Sequence, residues 1–430
     1  MAQEDLNDTY KKIIREIPKD KDIFDSEFNY ELSNKINYPL ISLGFHHLIH
    51  QNKDKMEILL DFKNRKKVYL VTNEFERYID EYDKDIDGSS ITYFGLKKEK
   101  ILSRAFFKLW EILLMFDVIS PNKKDFVSAH LAEGPGSFIQ STIFFRDKFS
   151  SKFSKKDKYY AITLHSEENH VPPLHKEFID RYKKEKPVRL IQHKTYPLNQ
   201  TGGNLDKDNG DLTNPKTIKL FGGNFKNKKA DFITADGGFN WNNENTQEQE
   251  AFRLILSQVL MALKIQNKGG NFVCKLFESF TITTVKLMSI VNSFYEKVFI
   301  VKPYTSRKSN SERYIVCLKY VHGDNDKKKE SKIKKLDKLL KELHDNKNKF
   351  LVDMFQNYKP SNDFINTILD INNIIANKQL VAINNITTFI NARNYYGNQY
   401  NQYRDEQIKA SEFWVNQFYV KKIEDFKNRI

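Results

Sequence analysis

Cysteine is almost missing from this chain. Cys274 and Cys317 are its only two among 430 residues. That is too few for a disulfide framework or a cysteine zinc site, and it fits a reducing, intracellular compartment. Long apolar runs are missing too: no stretch approaches the ~18 consecutive apolar residues of a membrane-spanning helix. The N-terminal MAQEDLNDTYKKII is polar and acidic and contains no apolar signal-peptide core. Acid is scarce relative to base, with 70 Lys and Arg against 56 Asp and Glu and a net charge of +14. Such an excess favours a polyanionic partner, most simply nucleic acid; a lysine-rich solvated surface is the plain alternative.

What is present is a core-forming share of hydrophobic residues, 40%, in a chain of mean hydropathy −0.63. At roughly 100–200 residues per domain, two or three domains are expected. Residues 1–95 form a mixed, aromatic-rich α/β region of unassigned role, in which DEYDKDIDGSS (80–90) reads as a loop. Across 96–321 short apolar runs alternate with helical patterns. Strands are expected at DFVSAHLA (125–132), KYYAITL (158–164), PVRLIQ (187–192), DFITAD (231–236), GGNFVCKLF (269–277), VFIVKP (298–303) and ERYIVCLK (312–319). Helices are expected at SRAFFKLWEILLMF (103–116), after GPGS, at QEAFRLILSQVLMALKI (249–265) and at KLMSIVNSFYEKV (286–298). This alternation implies an α/β fold with a mostly parallel sheet, whose ligands bind beyond the carboxyl ends of the strands. Residues 322–430 read as a charged, mainly helical C-terminal region. There the Asn/Tyr-rich NARNYYGNQYNQYRDEQ (391–407) is expected to be a loop.

Several stretches carry chemistry. In AEGPGSF (132–138) a strand ends, a Gly-Pro-Gly turn follows and a helix begins. Bare backbone and a helix N-terminus suit a ligand, but the turn lacks the Gly-Lys-Ser/Thr ending of a P-loop and the GxGxxG spacing. GDLTNP (210–215) offers Asp211 to an adenine amino group, or simply makes an Asx turn. DFITADGGF ends an apolar run in a lone carboxylate, Asp236, followed by bare Gly237 and Gly238. Lys275 lies inside an apolar strand, which is costly unless the lysine is paired, neutral or snorkelling from the strand end. TSRKSNSERYIVC (305–317) brings Glu312 to a strand start. Lys108 lies near the start of an amphipathic helix. The three histidines of GFHHLIH (44–50) lack the acids or cysteines of a metal-ligand pattern, so no metal is expected.

SRAFFKLWEI, GPGSF, GDLT, ADGGF, GGNFVCKLF and TSRKSNSERYIV occur in this order. The set resembles the FtsJ-like (Adrift-type) ribose 2′-O-methyltransferases. ADGGF and TSR-x-x-NSERY point to the branch that modifies capped mRNA in eukaryotes and large DNA viruses. The resemblance covers roughly residues 96 to 320 and implies a Rossmann-like class I methyltransferase domain using S-adenosylmethionine. It assigns a K-D-K-E tetrad to Lys108, Asp236, Lys275 and Glu312. Lys275 is the candidate general base; its apolar strand and Lys108 lower its pKa, while Asp236 and Glu312 raise it. The resemblance assigns cofactor contacts to Ala132, Glu133, Gly134, Pro135, Gly136, Ser137, Phe138, Asp211 and Leu212. It assigns RNA contacts to Ser103, Arg104, Asn245, Thr246, Gln247, Arg307 and Asn310, with helix capping as a second role for 245–247. Three positions depart from the family pattern: His130 where many relatives carry an acid, Ala132 where glycine is common, and Ser137 in place of the second Gly of Pro-Gly-Gly. The expected partners are capped mRNA 5′ ends, with room for other capping or transcription subunits, and no membrane. The competing readings are a ribosomal or transfer RNA 2′-O-methyltransferase and a non-catalytic RNA-binding scaffold.

Overall fold

The computed structural model describes the chain except residues 1–9, 37–38, 40, 62–64, 77–92, 95–99, 168–170, 239–244, 394–395 and 428. The loop expected at 80–90 lies outside the described residues. The strands are β1 (Ile13–Ile17), β2 (Tyr30–Ser33), β3 (Val127–Leu131), β4 (Lys158–Ile162), β5 (Leu190–Gln192), β6 (Ala230–Ala235), β7 (Gln266–Leu276), β8 (Tyr295–Lys302), β9 (Arg313–Tyr320) and β10 (Phe350–Met354). Helices of eight residues or more are α1 (Leu43–Asp54), α2 (Arg65–Thr72), α3 (Ala105–Phe116), α4 (Ser137–Phe149), α5 (Lys176–Lys183) and α6 (Pro215–Gly222). They continue with α7 (Gln247–Ile265), α8 (Ile282–Asn292), α9 (Lys327–Asp345), α10 (Asn362–Asn391) and α11 (Asn398–Phe418). None is long and apolar enough to cross a membrane among the described residues.

Eight strands form one sheet in the order β1-β8-β9-β7-β6-β3-β4-β5. The run from β5 to β7 is parallel, and β9 joins β7 antiparallel. β8 and β1 then continue antiparallel. The period of two along each strand feeds two cores. On β7, Phe272, Cys274 and Leu276 face one core, and Val273 faces the other. Lys275 therefore follows Val273 onto the face covered by α3 and α4. Both flanks of the 96–321 segment build into this body. β1 supplies an edge strand, β2 pairs with β10, and α11 packs on α3.

Two boundaries differ from expectation. The helix expected over 286–298 stops at Asn292, and β8 begins at Tyr295. There the apolar spacing changes, and Val298 to Lys302 are all buried between neighbouring strands. The loop expected over 391–407 is helical from Asn398 onward. Tertiary contacts override its weak local preference. Gln407 Nε2 donates to the carbonyls of Leu70, Val71 and Asn73 at the end of α2 at 2.6, 3.0 and 3.0 Å. Tyr403 packs edge-on against Phe389.

Candidate active site

β3 and β6 lie side by side, with Leu131 opposite Ala235. The sheet then grows in opposite directions from this pair, to β4 on one side and β7 on the other. Such a reversal opens a crevice at the strand ends. The turn after β3 forms one wall. Ala132 has φ +51°, the left-handed region where a Cβ costs about 1–2 kcal/mol and glycine would be unstrained. Gly136, at φ +115°, is the N-cap of α4. A Cβ on Gly134 would lie 1.8 Å from the Pro172 carbonyl oxygen, so no side chain fits.

The departures from the family pattern have local explanations. His130 is fully buried and bonds Ser128 Oγ at 2.8 Å and Thr234 Oγ1 at 2.7 Å. Burial pushes its pKa down to about 3, so the ring is neutral. Ser137 Oγ meets Ser103 Oγ at 2.7 Å, tying the turn to the approach to α3. Glu133 is buried and accepts from the Ile139 N–H at 2.8 Å, bracing the first turn of α4. Burial lifts its carboxyl well above the usual range, and nearby Asp236 adds to the rise. Phe138 belongs to the core. Of the assigned cofactor residues, Ala132, Gly134, Asp211 and Leu212 line the crevice. Glu133, Ser137 and Phe138 support it from behind.

The crevice suits an adenosyl donor. Leu164, Leu212 and Leu254 give apolar walls, and Asp211 and Asp236 bring carboxylates from two separate loops. Asp211 Oδ1 accepts from the Thr213 N–H at 2.9 Å and its hydroxyl at 2.7 Å. The Asx turn is therefore real, and it fixes an acid on the crevice wall. A flat amino-purine and a cationic centre both find partners in this donor set.

The tetrad assembles at the edge of the crevice as two ion pairs. Lys275 Nζ lies 3.1 Å from Asp236 Oδ1 and also donates to the Asp236 carbonyl at 2.8 Å. Tyr314 OH donates to the same Oδ1 at 3.0 Å. Lys108 Nζ lies 2.7 Å from Glu312 Oε1. Burial lowers the Lys275 pKa, but Asp236 and Glu312 outweigh it and the net shift is upward. Lys275 thus rests as an ammonium. Burial alone would raise Glu312, yet Lys108, Lys275 and Lys302 hold its carboxyl down at about 2. Gly238 leaves the space beside Lys275 open, since a Cβ there would lie 3.2 Å from Nζ.

Three ionisable groups that the sequence reading missed hold the loop carrying Glu312. Glu111, one turn beyond Lys108 on α3, accepts from Tyr304 N at 2.7 Å and from Thr305 N and Oγ1 at 3.0 and 2.7 Å. It also accepts from Trp414 Nε1 of α11 at 3.0 Å. Lys302, at the end of β8, donates to Asn310 O and Oδ1 at 2.8 and 2.9 Å and to Glu312 O at 2.8 Å. Glu76, 1% exposed, binds Arg104 and, at 2.7 Å, Arg307. The signal for Glu111 was an acid on the apolar face of FFKLWEILLMF; for Lys302 it was a lysine closing the apolar run VFIV. Glu76 lies in a segment with no clear pattern.

The assigned RNA residues divide by location. Arg104 and Arg307 meet at Glu76 and border a cavity of about 470 Å³ beside the tetrad loop. Asn310 accepts from Lys302, so its carbonyl oxygens are committed to the loop. Gln247 Oε1 accepts from Ser311 Oγ at 3.1 Å, and Asn245 bonds Asp54 at 2.9 Å. The Thr246 carbonyl receives the Gln249 and Glu250 N–H groups at the start of α7. Thr246 is the N-cap residue of α7, but its side chain makes no capping hydrogen bond.

Glycine turn, adenosyl crevice and paired lysine–carboxylate groups at the reversal of a doubly wound sheet define a class: an S-adenosylmethionine-dependent methyltransferase domain. The chain belongs to the FtsJ-like methyltransferase family, which it matches over residues 101–320. Among curated relatives it is similar to cap-specific mRNA (nucleoside-2′-O-)-methyltransferase 1 of Bos taurus, 43% identical over 120 residues, 27% of this chain and 14% of that one. It is also similar to cap-specific mRNA (nucleoside-2′-O-)-methyltransferase 2 of Drosophila melanogaster, 31% identical over 226 residues, 52% of this chain and 30% of that one. A third relative is the inactive cap-specific mRNA (nucleoside-2′-O-)-methyltransferase 1B of Caenorhabditis briggsae, 31% identical over 214 residues, 47% and 25% of the two chains. The matched segment thus spans less than a third of each of these relatives.

Proposed function

We propose that this chain is a cap-specific mRNA 2′-O-methyltransferase that modifies the ribose of a nucleotide next to the 5′ cap. The observation that carries this reading is the two-pair arrangement of Lys108, Asp236, Lys275 and Glu312 at the crevice edge. S-adenosylmethionine held against Ala132, Gly134, Asp211 and Leu212 supplies a sulfonium-activated methyl group. The chain's own residues then have to place and deprotonate a hydroxyl. Lys275 Nζ, at the bare Gly238 backbone, orients the 2′-oxygen by donating a hydrogen bond. To take the hydroxyl proton Lys275 must first shed its own. Burial favours that loss, and Asp236 and Glu312 oppose it. Lys108 and Glu312 hold the opposite side of the site rigid, so that alignment supplies a large part of the rate.

The cavity bordered by Phe75, Arg104, Tyr304, Arg307, Lys308 and Lys378 is where the capped end lies in this reading. Aromatic faces and cations in one cleft suit a charged base and its phosphates. A relative named inactive keeps a non-catalytic RNA-binding role as the second reading. The intact tetrad weighs against it.

The test is transfer of labelled methyl to matched short RNAs, capped with 7-methylguanosine or uncapped, by wild type and by Lys275→Ala. Cap-dependent ribose methylation that the variant loses by at least about 10²-fold is the expected result. Equal transfer to uncapped RNA would make the chain a general RNA 2′-O-methyltransferase. RNA binding without any transfer would make it a scaffold.

A further inference from the structure

The cations at the active site, Lys108, Lys275, Arg104 and Arg307, are held in ion pairs with acids. The loops at the carboxyl ends of the strands carry Glu133, Asp208, Asp211, Asp236, Glu278 and Glu312 beside Lys194, Lys207, Arg307 and Lys308. The loops entering β3, β4, β5 and β6 at the opposite edge expose Lys124, Lys155, Lys156, Lys186, Lys226 and Lys228.

The opposite edge is one continuous surface. Lys228 Nζ donates to the Asp125 carbonyl, joining the loop before β6 to the loop before β3. Lys123 pairs with Asp231 at 3.0 Å across the same junction. Lys124 lies over the Phe153 ring at 5.9 Å, and Lys158 donates to the Val188 carbonyl at 2.5 Å. These contacts link the loops before β4 and β5.

Most acids of this edge are already neutralised from within. Buried Arg146 holds Asp157 at 2.7 Å. Arg189 holds Asp147 at 2.6 Å and Glu185 at 2.8 Å. Asp125 is exposed and makes no ion pair among the described residues. The outward lysines therefore project a field that few acids cancel.

We propose that this edge is a second RNA-binding surface, which holds the tract of transcript leading away from the nucleotide being methylated. The proposal rests on the reading of the chain as an RNA methyltransferase. Apolar anchors are scarce here: Val188 and Val321, at 39% and 38% exposed, are the large hydrophobics that the described edge leaves open. A protein partner needs a desolvated apolar centre, whereas a phosphate backbone needs only dispersed cations on flexible stems. A short capped oligonucleotide in the crevice ends before this edge, because β4 and β6 alone separate the two ends of the sheet by ~17–20 Å.

The test compares wild type with a variant carrying Lys155→Glu, Lys156→Glu, Lys226→Glu and Lys228→Glu. Fluorescence anisotropy is read over a salt series with a long capped RNA and with a capped tetranucleotide. For the long RNA the slope of log affinity against log salt should lose about 3, and affinity at moderate salt should fall by ~10²-fold. Tetranucleotide binding should not change. A matching Lys→Gln quartet removes the same charges without reversing them and should lose the same slope, which guards against misfolding in the Glu variant. Unchanged long-RNA binding would overturn the proposal, as would equal losses for both RNAs. Loss of binding to polyglutamate with RNA binding retained would assign the edge to an acidic protein and equally overturn it. The readout is binding, so a failure of methyl transfer would be seen separately.

Discussion

Glu111 gives the sharpest test of the packing that positions the tetrad. It is fully buried and receives three hydrogen bonds from the Tyr304–Thr305 turn and one from Trp414. Burial raises its pKa from 4.5 to about 7, against the opposing pull of those hydrogen bonds. Between pH 4.5 and 7 the folded protein therefore keeps a proton that the unfolded chain has lost. Stability that is present below pH 4.5 is lost as the pH rises through 7. At about 1.36 kcal/mol per unit, the loss over that window is about 3 kcal/mol. Glu111→Gln cannot titrate and should lack this component. Urea unfolding, followed by the emission of Trp110 and Trp414 beside the contact, should show wild type losing about 3 kcal/mol relative to the variant between pH 4.5 and pH 8. A difference between the two proteins that does not vary with pH would refute the argument. It would mean that Glu111 titrates alike in both states, and that burial does not govern its charge.

Two further positions, Gly134 and Lys302, give expected outcomes. Gly134→Ala forces a Cβ into the Pro172 carbonyl, and calorimetric titration with S-adenosylhomocysteine should show affinity reduced by at least about 10-fold, with stability lowered by about 1–3 kcal/mol. Lys302→Met strips the donor from three loop oxygens and should lower kcat/KM by about 10–10²-fold. Burial pushes Lys302 down to about 7. Above that pH the folded protein has shed a proton that the unfolded chain keeps until about 10.5, so wild type should gain stability over Lys302→Met as pH rises through this window, measurable by thermal melts.

Much of the sheet could be read from the sequence because its strands are short apolar runs bounded by turn residues, and their order alone implies parallel pairing. Asp236 and Lys275 stood out because chemically costly residues interrupt or end those runs, whereas Lys108 and Glu312, which alone read as surface residues, were assigned only through the resemblance to the family. Whether Lys275 rests charged was not legible. The outcome turns on Asp236 sitting 3.1 Å away, a distance set by the β6–β7 register. Glu76 escaped notice because its partners Arg104 and Arg307 are remote in the chain and meet it only in three dimensions. The helix from Asn398 escaped because Asn and Tyr favour loops locally, and tertiary contacts, among them those of Gln407 with α2 and of Tyr403 with Phe389, reverse that preference.

The seating of α11 has a consequence for how the protein is made. Trp414 and the Phe418 carbonyl close over α3 by binding Glu111 and the Trp110 indole, the latter at 2.9 Å. A ribosome emits all four tetrad residues well before it emits this helix. Until then the nascent chain carries all four residues of the proposed tetrad with Phe107 and Trp110 still lacking their cover. Truncated or nicked products that stop after β9 are thus left with the four proposed tetrad residues on an unfinished, aggregation-prone core. The unit that must be synthesised is larger than the unit that performs the reaction.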